Sequence, residues 1–483
     1  MKAFNLINGV WEPSFSGRST TTLDPATGLE TASVADGERG EAEAAVEAAA
    51  ASFTRASWSQ NPRLRQMVLL RWADRLEKEV DSLATLLTRT NGKIIGQSYG
   101  EIRAAISEIR YYGGMARHVV GHNAEVAPGE FSTMLREPAG VAALIIPWNA
   151  PAVLLIRSLA PALAAGCTTV IKVATQTALF TARLLEHLNA CEGLPAGVVN
   201  AIHETGHQGS QYLVESSTVD VVSFTGSTAV GKTIMAAAAG TVKKLSLELG
   251  GKSCAIIMPD ADVPAAATSL ARAATIISGQ QCTAARRVLV HESHYNEMAD
   301  ELTKALANLK VGNGLDAGTS MGPLIDTASR DRILNAIDQA FEIADRVLLR
   351  GRIPEDMPPN SAFLTPSLVA HEDSNAFFVQ EEIFGPFVVL ERFNTETEAA
   401  EKANNTVFGL SASVWTDQNA TAWRMARALR RGTVWINDHN KLFAEAETGG
   451  YRQSGLGRLH GYEALSDFTE TKHIYQNVGT LAG

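Results

Sequence analysis

Short apolar runs that alternate with helix-like segments restrict the fold of this chain more than any other feature of its sequence. The apolar runs lie at 141–146, 169–173, 219–224 and 255–258, and helix-like stretches lie at 176–190 and 230–239. Strands that alternate with helices predict an α/β fold with mainly parallel sheets. The first half of the chain is therefore expected to form a doubly wound sheet of the nucleotide-binding type.

A second alternating series predicts another α/β unit between about residues 265 and 438. We place a domain boundary near Gly250-Gly251, between the two series. The segment 472–478 is expected to form an exposed strand, and an exposed edge strand requires a partner or a guard. The strands of the second series are expected at 287–291, 387–393, 411–415 and 434–437.

Two helical regions are expected nearer the N-terminus. An Ala-rich helix is predicted at 41–52. Asn61-Pro62 has the order of an N-cap followed by a first-turn proline, so a helix is expected to begin there. Its apolar face continues through Val80, and Asn91-Gly92 is expected to end it.

The uncharged stretch 138–156 is predicted to be a buried strand that runs into a turn, and not a membrane helix. Prolines at 147 and 151 interrupt it and Arg157 follows it directly. Proline removes a backbone donor and disfavours a continuous helix. The sequence therefore predicts no membrane association.

Length and charge exclude some functional classes. A chain of 483 residues predicts two or three domains. The net charge of −10 gives no basic surface for nucleic acid. The four cysteines have no metal-ligand spacing and fit a reducing compartment. With no apolar secretory segment at the N-terminus, we expect a cytoplasmic protein without a metal site.

Cys282 is the candidate nucleophile. It lies in the segment SGQQCTA at 278–284, where small neighbours fit a tight, accessible turn. A thiolate that captures a carbonyl divides a difficult reaction into two easier steps. On this segment alone, a small buried apolar cysteine is the more common case, and the nucleophile is the alternative.

Glu248 is the candidate general base. It lies between two leucines and before two glycines, so partial desolvation is expected to raise its pKa. An ion pair with Lys252 or Lys244 is the alternative. Asn149 follows an apolar strand within PWNAP at 147–151, where its amide could donate to an oxyanion or merely stabilise a turn.

A glycine turn at Gly226 precedes a helix, so its backbone N–H groups could hold a pyrophosphate. By itself this motif is weak, because it lacks the usual three-glycine fingerprint. Taken together, however, the segments resemble the NAD(P)-dependent aldehyde dehydrogenase superfamily over nearly the whole chain. The matching motifs are PWN-x-P at 147–151, Lys172 after a strand, GST-x-x-G at 226–231, LELGGK at 247–252, GQ-x-C at 279–282, EEIFGP at 381–386, NN-x-x-x-GL at 404–410 and GGY-x-QSG-x-GR at 449–458.

The resemblance implies how the site works. Cys282 would attack the aldehyde, and Asn149 with the backbone N–H of Cys282 would stabilise the oxyanion. Hydride would pass to the nicotinamide of NAD or NADP, and Glu248 would activate water to hydrolyse the thioester. The residues implied to bind the cofactor are Ile146, Trp148, Lys172, Thr175, Gly206, Gly226, Ser227, Leu249, Glu382 and Phe384.

The same resemblance implies three domains. A Rossmann-like NAD(P)-binding domain would comprise 1–117 and 139–250, and an α/β catalytic domain 251–452. A small β oligomerisation domain would comprise 118–138 and 466–483, with the terminal strand extending a neighbouring subunit's sheet. A homodimer, or a homotetramer made of dimers, is therefore expected.

Three departures from the family bear on specificity. Thr175 replaces a glutamate usual in NAD-preferring members, so NADP is expected to be accepted. Arg157 replaces an aromatic residue, as in succinate-semialdehyde and aromatic-aldehyde members, and predicts a substrate with an anionic or oxygenated far end. Arg157 could instead pair with a structural carboxylate.

Glu447 replaces a common proline near the substrate channel. A negative charge there would favour a cationic amino-aldehyde such as betaine aldehyde, which competes with the prediction from Arg157. A CoA-acylating dehydrogenase is a further alternative. It would share the nucleophile but generally lacks the activating glutamate, so Glu248 argues against it.

Overall fold

The structure, a computed structural model, describes residues 1–481. Helices and strands alternate along most of it, as the apolar pattern predicts. The helices are α1 (Arg39–Thr54), α2 (Pro62–Glu77), α3 (Val80–Asn91), α4 (Ile95–Met115), α5 (Pro151–Ala165), α6 (Ala178–Asn189), α7 (Gln208–Glu215), α8 (Thr228–Ala238), α9 (Val263–Thr275), α10 (Tyr295–Ala307), α11 (Thr327–Ile343), α12 (Phe377–Gln380), α13 (Glu396–Asn404), α14 (Asn419–Ala428) and α15 (Ala464–Asp467).

The strands form four sheets. They are β1 (Lys2–Ala3), β2 (Asn5–Ile7), β3 (Val10–Glu12), β4 (Ser19–Leu23), β5 (Glu30–Ala35), β6 (His122–Ala127), β7 (Glu130–Pro138), β8 (Val141–Ile145), β9 (Thr168–Val173), β10 (Val199–His203), β11 (Val221–Thr225), β12 (Lys244–Glu248), β13 (Cys254–Ile257), β14 (Arg287–His291), β15 (Arg346–Leu349), β16 (Ser367–Ala370), β17 (Phe387–Phe393), β18 (Ser411–Trp415), β19 (Thr433–Ile436), β20 (Gly455–Leu456) and β21 (Thr469–Asn477).

An eight-stranded sheet has the order β20-β12-β11-β8-β9-β10-β2-β3. Its five central strands are parallel. From β8 the chain moves outward through β9 and β10, then returns to the other side of β8 as β11 and β12. The strand order therefore reverses beside β8, and ligands bind at the carboxyl ends of strands at such a point.

Both faces of this sheet are covered, which accounts for its nearly continuous apolar strands. One core contains α2 to α6, where Trp58 and Trp72 are fully buried. Their indole N–H groups donate to the carbonyls of Cys167 at 3.1 Å and Leu184 at 3.0 Å. Apolar side chains of α1, α7 and α8 form the core on the opposite face.

The sequence prediction of one helix from residue 62 to residue 91 was wrong. Asn61 caps α2 as expected, since its side chain accepts the N–H of Leu64 at 3.1 Å. The backbone then leaves the helical region at Glu79, and α3 starts at Val80. The Glu79 carbonyl accepts the Leu83 N–H and the Ser82 hydroxyl, so a second helix begins where the first ends.

A seven-stranded sheet has the order β15-β16-β17-β14-β13-β18-β19 and is parallel except for β15. The small sheet β21-β7-β6 is antiparallel, and nine residues of β21 pair with β7. Residues of β21 beyond Thr469 are exposed. Residues 482 and 483, at the end of the predicted oligomerisation segment, lie outside the described residues.

No helix among residues 1–481 is long and apolar enough to cross a membrane. The stretch that the sequence analysis considered for this role, 138–156, contains β8 and the first turns of α5. Ala150 precedes α5 and Pro151 lies in its first turn. Proline at this position costs no hydrogen bond, because the first N–H groups of a helix lack partners within it.

Candidate active site

Two cavities meet at the turn between β8 and α5. One, of about 500 Å³, is bordered by Cys282, Asn149, Glu248 and Arg157. The other, of about 620 Å³, opens at the carboxyl ends of β8, β9 and β11. Trp148 borders the second cavity and Asn149 the first, so adjacent residues separate the two. We call the first the thiol cavity and the second the strand-end cleft.

Cys282 lies in a partly buried loop after α9. Burial raises the pKa of its thiol to about 11, and the positive charge of Arg157 opposes this rise. The other three cysteines are buried and free. Only Cys282 among the four borders the thiol cavity.

The loop before Cys282 has a strained backbone. Ile277 and Ser278 adopt left-handed conformations with φ of 48° and 55°, which non-glycine residues seldom adopt. Arg286 holds the loop by donating to the carbonyls of Gly279 at 2.7 Å and Gln281 at 3.1 Å. The Ser278 hydroxyl donates to the Gly322 carbonyl at 2.7 Å.

The Asn149 amide donates to the carbonyl of Gln280 at 3.0 Å, two residues before Cys282. A primary amide has two N–H donors, and within the described residues only this bond is formed. The backbone carbonyl of Asn149 accepts Lys93 Nζ at 2.9 Å and Asn91 Nδ2 at 3.2 Å. Lys93 also pairs with Glu101, so a buried ion pair holds the Asn149 turn.

Sequence reasoning missed Lys93 and Glu101. Lys93 follows the glycine that ends α3, and Glu101 lies in α4. Glu101 also accepts the backbone N–H of Ala152 at 2.8 Å, in the first turn of α5. Burial lowers the pKa of Lys93 and Glu101 counteracts this. No spacing in the sequence connects these residues to Asn149.

Glu248, at the end of β12, is almost fully buried. Desolvation raises the pKa of its carboxyl to about 7, although Arg157 and then His460 lower it. Neither lysine considered from the sequence pairs with it. Lys252 donates to the carbonyls of Phe378 and Glu381, and Lys244 lies beside Glu470. Within the described residues Glu248 Oε1 has no hydrogen-bond partner.

Arg157 lies in the middle of α5 and is 4% exposed. Its Nη2 is 4.0 Å from Glu248 Oε2 and donates to Thr225 Oγ1 at 3.1 Å. Its buried Nε lacks a partner within residues 1–481. Arg157 therefore borders the thiol cavity and also lies within ion-pair distance of a carboxylate, that of Glu248.

Glu447 does not border the thiol cavity. Its Oε1 accepts the backbone N–H of Tyr462 at 3.1 Å and lies over Gly461. Its neighbours Glu445 and Thr448 do border the cavity, and Glu445 is exposed. Of the two charges weighed from the sequence, the one that faces the cavity is therefore Arg157.

The thiol cavity also contains a histidine–glutamate pair that the sequence analysis did not identify. His460 Nδ1 is 2.8 Å from both carboxylate oxygens of Glu108, and both side chains are buried. His460 is in the C-terminal segment and Glu108 in α4. They are 352 residues apart in the sequence, so no local motif could have revealed the pair.

Five of the ten predicted cofactor residues border the strand-end cleft. The Lys172 ammonium is largely buried there, which lowers its pKa, and Glu204 opposes this shift. The Thr175 hydroxyl donates to the Glu204 carbonyl at 2.9 Å. The cleft also includes β4, which the sequence analysis did not predict to contribute. The five residues are Ile146, Trp148, Lys172, Thr175 and Gly226.

Three further predicted residues lie around this cleft. Ser227 caps α8 by accepting the Val230 N–H at 3.3 Å. Leu249 is buried against Gly231, where a Cβ would approach Leu249 Cδ2 to 2.5 Å. Gly206 is exposed in the turn after Glu204 and does not border the cleft itself.

Glu382 and Phe384 lie on the opposite side, in the segment after α12. Glu382 is buried enough to raise its pKa, and Oε1 accepts the Gly251 N–H at 3.2 Å. The Phe384 ring meets Trp148 edge to face at 5.9 Å between centroids. Trp148 therefore joins this segment to the strand-end cleft.

Comparison with known proteins identifies the family. The model of the aldehyde dehydrogenase family matches residues 11–474. The chain belongs to the aldehyde dehydrogenase family. Its fold is the α/β fold of that family. A point mutant of betaine aldehyde dehydrogenase from Staphylococcus aureus, solved with NAD+, superposes on this chain with a TM-score of 0.96. The two are 35% identical, and the match covers 99% of this chain and 97% of the other.

Curated relatives of this aldehyde dehydrogenase differ in substrate. It is 37% identical to phenylacetaldehyde dehydrogenase of Pseudomonas fluorescens, over 97% of this chain and 95% of the relative. It is 35% identical to mitochondrial succinate-semialdehyde dehydrogenase of Arabidopsis thaliana, over 98% and 89%. The enzyme is thus an oxidoreductase of this family, and overall identity does not select one aldehyde.

Proposed function

We propose that this enzyme oxidises an aldehyde to a carboxylic acid with NAD or NADP, using Cys282 as nucleophile, Asn149 as oxyanion donor and Glu248 as general base. One observation carries the proposal: these three side chains come from distant segments yet border one cavity. That cavity adjoins the strand-end cleft at the reversal of strand order. The experiment is NAD(P)H formation with purified wild type, Cys282→Ser and Glu248→Gln.

Each residue has a defined task. The Cys282 thiol gives its proton to water in the cavity, and Arg157 stabilises the thiolate. The thiolate sulfur then bonds to the aldehyde carbon while the C=O π electrons move onto the oxygen. The free N–H of Asn149 and the backbone N–H of Cys282 donate to the oxygen that gains charge. NAD(P), when bound, supplies the hydride acceptor. Glu248 then takes a proton from water, the water oxygen attacks the thioester carbon, and Cys282 leaves as thiolate.

The cleft suits a dinucleotide on chemical grounds. It lies where doubly wound sheets bind such ligands, and the N-terminus of α8 presents unpaired N–H groups for a pyrophosphate. Lys172 is a buried cation without a salt bridge among the described residues. Lys172, Thr175 and Gly206 would hold the adenosine end, and Ser227 the pyrophosphate. Trp148, Glu382 and Phe384 would hold the nicotinamide end, with Ile146 and Leu249 packing beside it.

We propose that NADP is accepted as well as NAD. Thr175 is neutral, and its hydroxyl is directed to the Glu204 carbonyl, so no carboxylate at position 175 repels a 2′-phosphate. The Glu204 carboxylate is itself turned towards α7, accepting the N–H groups of Gly209 and Ser210. Thr175→Glu should reduce kcat/KM for NADP much more than for NAD. Strict use of NAD by the wild type would contradict the proposal.

We propose a substrate with an anionic or oxygenated far end, such as a semialdehyde or an oxygenated aromatic aldehyde. Arg157 borders the cavity and its buried Nε has no partner among residues 1–481, whereas Glu447 does not border the cavity. Much of the remaining wall is apolar, with Val153, Leu154 and Ile277. This arrangement does not favour a cationic amino-aldehyde, and Glu248 does not favour transfer of the acyl group to CoA.

A panel of aliphatic, aromatic, amino- and semialdehydes tests the substrate, with Arg157→Ala compared to wild type. We expect Arg157→Ala to lower kcat/KM for every aldehyde, because the Cys282 thiolate loses its stabilising charge, and to lower it further for the anionic and oxygenated aldehydes. An equal loss for all substrates would remove Arg157 from substrate recognition. CoA added to the assay should neither increase turnover nor yield a CoA thioester.

Assembly and location complete the proposal. The exposed strand β21 has one free edge in the sheet β21-β7-β6, and such an edge pairs readily with another chain. We propose a homodimer or a tetramer of dimers built on residues 118–138 and 466–483. We also propose that 1–117 and 139–250 bind the cofactor, that 251–452 carry the thiol, and that the enzyme is cytoplasmic, in keeping with its free cysteines.

A further inference from the structure

The buried pair of Glu108 and His460 has a defined geometry. The Glu108 carboxylate accepts from His460 Nδ1, which fixes the ring and leaves Nε2 at its other end. The backbone around His460 is held on both sides. The Tyr112 hydroxyl donates to the Gly461 carbonyl at 2.9 Å, and the Leu459 N–H donates to Thr448 at 2.9 Å.

His460 Nε2 is buried and has no partner within residues 1–481. An unsatisfied buried polar atom costs about 1–3 kcal/mol, so its retention requires an explanation. Both His460 and Glu108 border the thiol cavity. Glu248 borders the same cavity, and its Oε1 is also buried and unpartnered. The electrostatic influence of His460 reaches the Glu248 carboxyl, second only to that of Arg157.

Other charged groups surround this pair. Tyr111 and Tyr112 of α4 lie near the Glu108 charge, and Arg157 of α5 lies beside Glu248. The remaining groups belong to the C-terminal segment: Glu445, Glu447 and Arg458 lie outside its helices, and Asp467 ends α15. Burial raises the pKa values of both tyrosines, so they remain neutral and cannot accept a proton at neutral pH.

Glu248 needs a proton acceptor after each turnover. Hydrolysis of the thioester, as proposed above, leaves its carboxyl protonated. Its carboxyl is 4% exposed, so burial hinders direct release of the proton to bulk water. Arg157 is already protonated and cannot accept. The remaining candidate is the imidazole of His460, whose Nδ1 is held by the Glu108 carboxylate and whose Nε2 has no partner among residues 1–481.

We propose that the Glu108–His460 pair is the proton relay that regenerates the Glu248 carboxylate. The step moves one proton: the O–H bond of the Glu248 carboxyl breaks, and an N–H bond forms at His460 Nε2, directly or through one water. The Glu108 carboxylate stabilises the resulting imidazolium. The imidazolium then releases the proton to solvent at the cavity mouth, where Phe443 and Glu445 are exposed. His460 is thus a positioning and proton-transfer residue that acts through Glu248.

The test compares the first turnover with later turnovers. His460→Gln keeps a hydrogen-bonding side chain beside Glu108 but cannot carry a proton. We expect a normal first-turnover burst of NAD(P)H, followed by steady-state turnover at neutral pH lowered about a hundredfold, as for loss of a general acid–base group. Free imidazole should restore turnover of the variant, and the defect should shrink as pH rises and hydroxide replaces the relay.

Two further variants make the test decisive. Glu108→Gln keeps a hydrogen bond but removes the charge that stabilises the imidazolium, so its turnover should lie between wild type and His460→Gln. If His460→Gln does not fold, Glu108→Gln alone still tests the relay. His187→Gln, on α6 outside the thiol cavity, should behave as wild type.

Failure of the relay can be separated from failure of the proposed function. If wild type forms no NAD(P)H from any aldehyde, the proposed function and the relay both fall. If wild type turns over and Glu248→Gln stops after one turnover, the proposed function stands. The relay alone is then overturned if His460→Gln turns over normally. It is also overturned if the first-turnover burst and the steady-state rate of His460→Gln fall together and free imidazole restores neither.

Discussion

Replacing Arg157 with methionine should move the pH dependence of turnover upward. Arg157 Nη2 is 4.0 Å from Glu248 Oε2, and both side chains are almost fully buried. Unit charges at this separation interact by about 4 kcal/mol at an effective dielectric constant of about 20, which corresponds to about three pKa units. Water that enters the space left by the guanidinium reduces this, so we expect the pKa of Glu248 to rise by about one to three units.

The direction of the effect on rate follows from the role proposed for Glu248. A general base works only when ionised, so turnover falls as the pH drops below its pKa. In the wild type the pKa of Glu248 is about 7, and half of the carboxyl groups are ionised at that pH. A rise of one to three units leaves about a tenth to a thousandth ionised, so turnover at neutral pH should fall by about fivefold to several hundredfold.

The assay is kcat as a function of pH, with a short aliphatic aldehyde that has no group for Arg157 to bind. The acid limb of the variant should shift upward, and most of the lost activity should return in alkaline buffer. Arg157→Lys keeps the positive charge and is the matched control, so its acid limb should stay near that of wild type. Loss of Arg157 should also slow alkylation of Cys282, because the guanidinium lowers the pKa of that thiol.

An unchanged acid limb in Arg157→Met, with turnover reduced equally at every pH, would refute this reasoning. It would mean that Arg157 positions groups sterically and does not control the ionisation of Glu248. A shift of equal size in Arg157→Lys would also count against it, since the charge would then be irrelevant.

Three other changes have defined outcomes. Arg287→Met leaves the buried Glu391 carboxylate without the partner that contacts it at 2.5 Å. Chemical denaturation should then show a free energy of unfolding lower by about 3–5 kcal/mol. Replacing both Arg287 and Glu391 with apolar residues should avoid this loss. Trp72→Ala empties a fully buried site in the core around α2 and should cost about 3–5 kcal/mol in the same measurement. His439→Phe removes the imidazole whose Nε2 lies 2.9 Å from the carbonyl of Thr283, the residue after Cys282. Because this contact supports the loop that carries the thiol, the first-turnover rate should fall more than KM changes. A rise in KM alone would contradict this.

The periodic parts of the fold could be predicted from the sequence. Both β8 and β11 end where the apolar runs end, within one residue, because buried parallel strands are apolar throughout. The break at Lys78-Glu79 could not be predicted, because the apolar face of α2 continues in register into α3. The small N-terminal sheet of β1, β4 and β5 was also missed, since its short strands lack a clear alternation.

Part of the candidate site could likewise be predicted from the sequence and part could not. Cys282, Asn149 and Glu248 lie in motifs whose order along the chain resembles a known family, so they could be named before any distance was known. Pairs formed across the fold could not. A buried Glu108 and a buried His460 look like surface residues in the sequence, because only tertiary packing removes them from water. Lys93, which holds the Asn149 turn, was missed for the same reason.

The left-handed backbone at Ile277 and Ser278 has a consequence for engineering this enzyme. A β-branched side chain tolerates that conformation poorly, and such a residue costs about 1–3 kcal/mol that glycine would not. A selection for heat resistance would therefore accept glycine at position 277. A selection for catalytic rate would reject it, because glycine increases backbone flexibility a few residues before the Cys282 thiol. The two selections would therefore favour different residues at position 277, and thermostability alone is a poor guide to improving the activity of this enzyme.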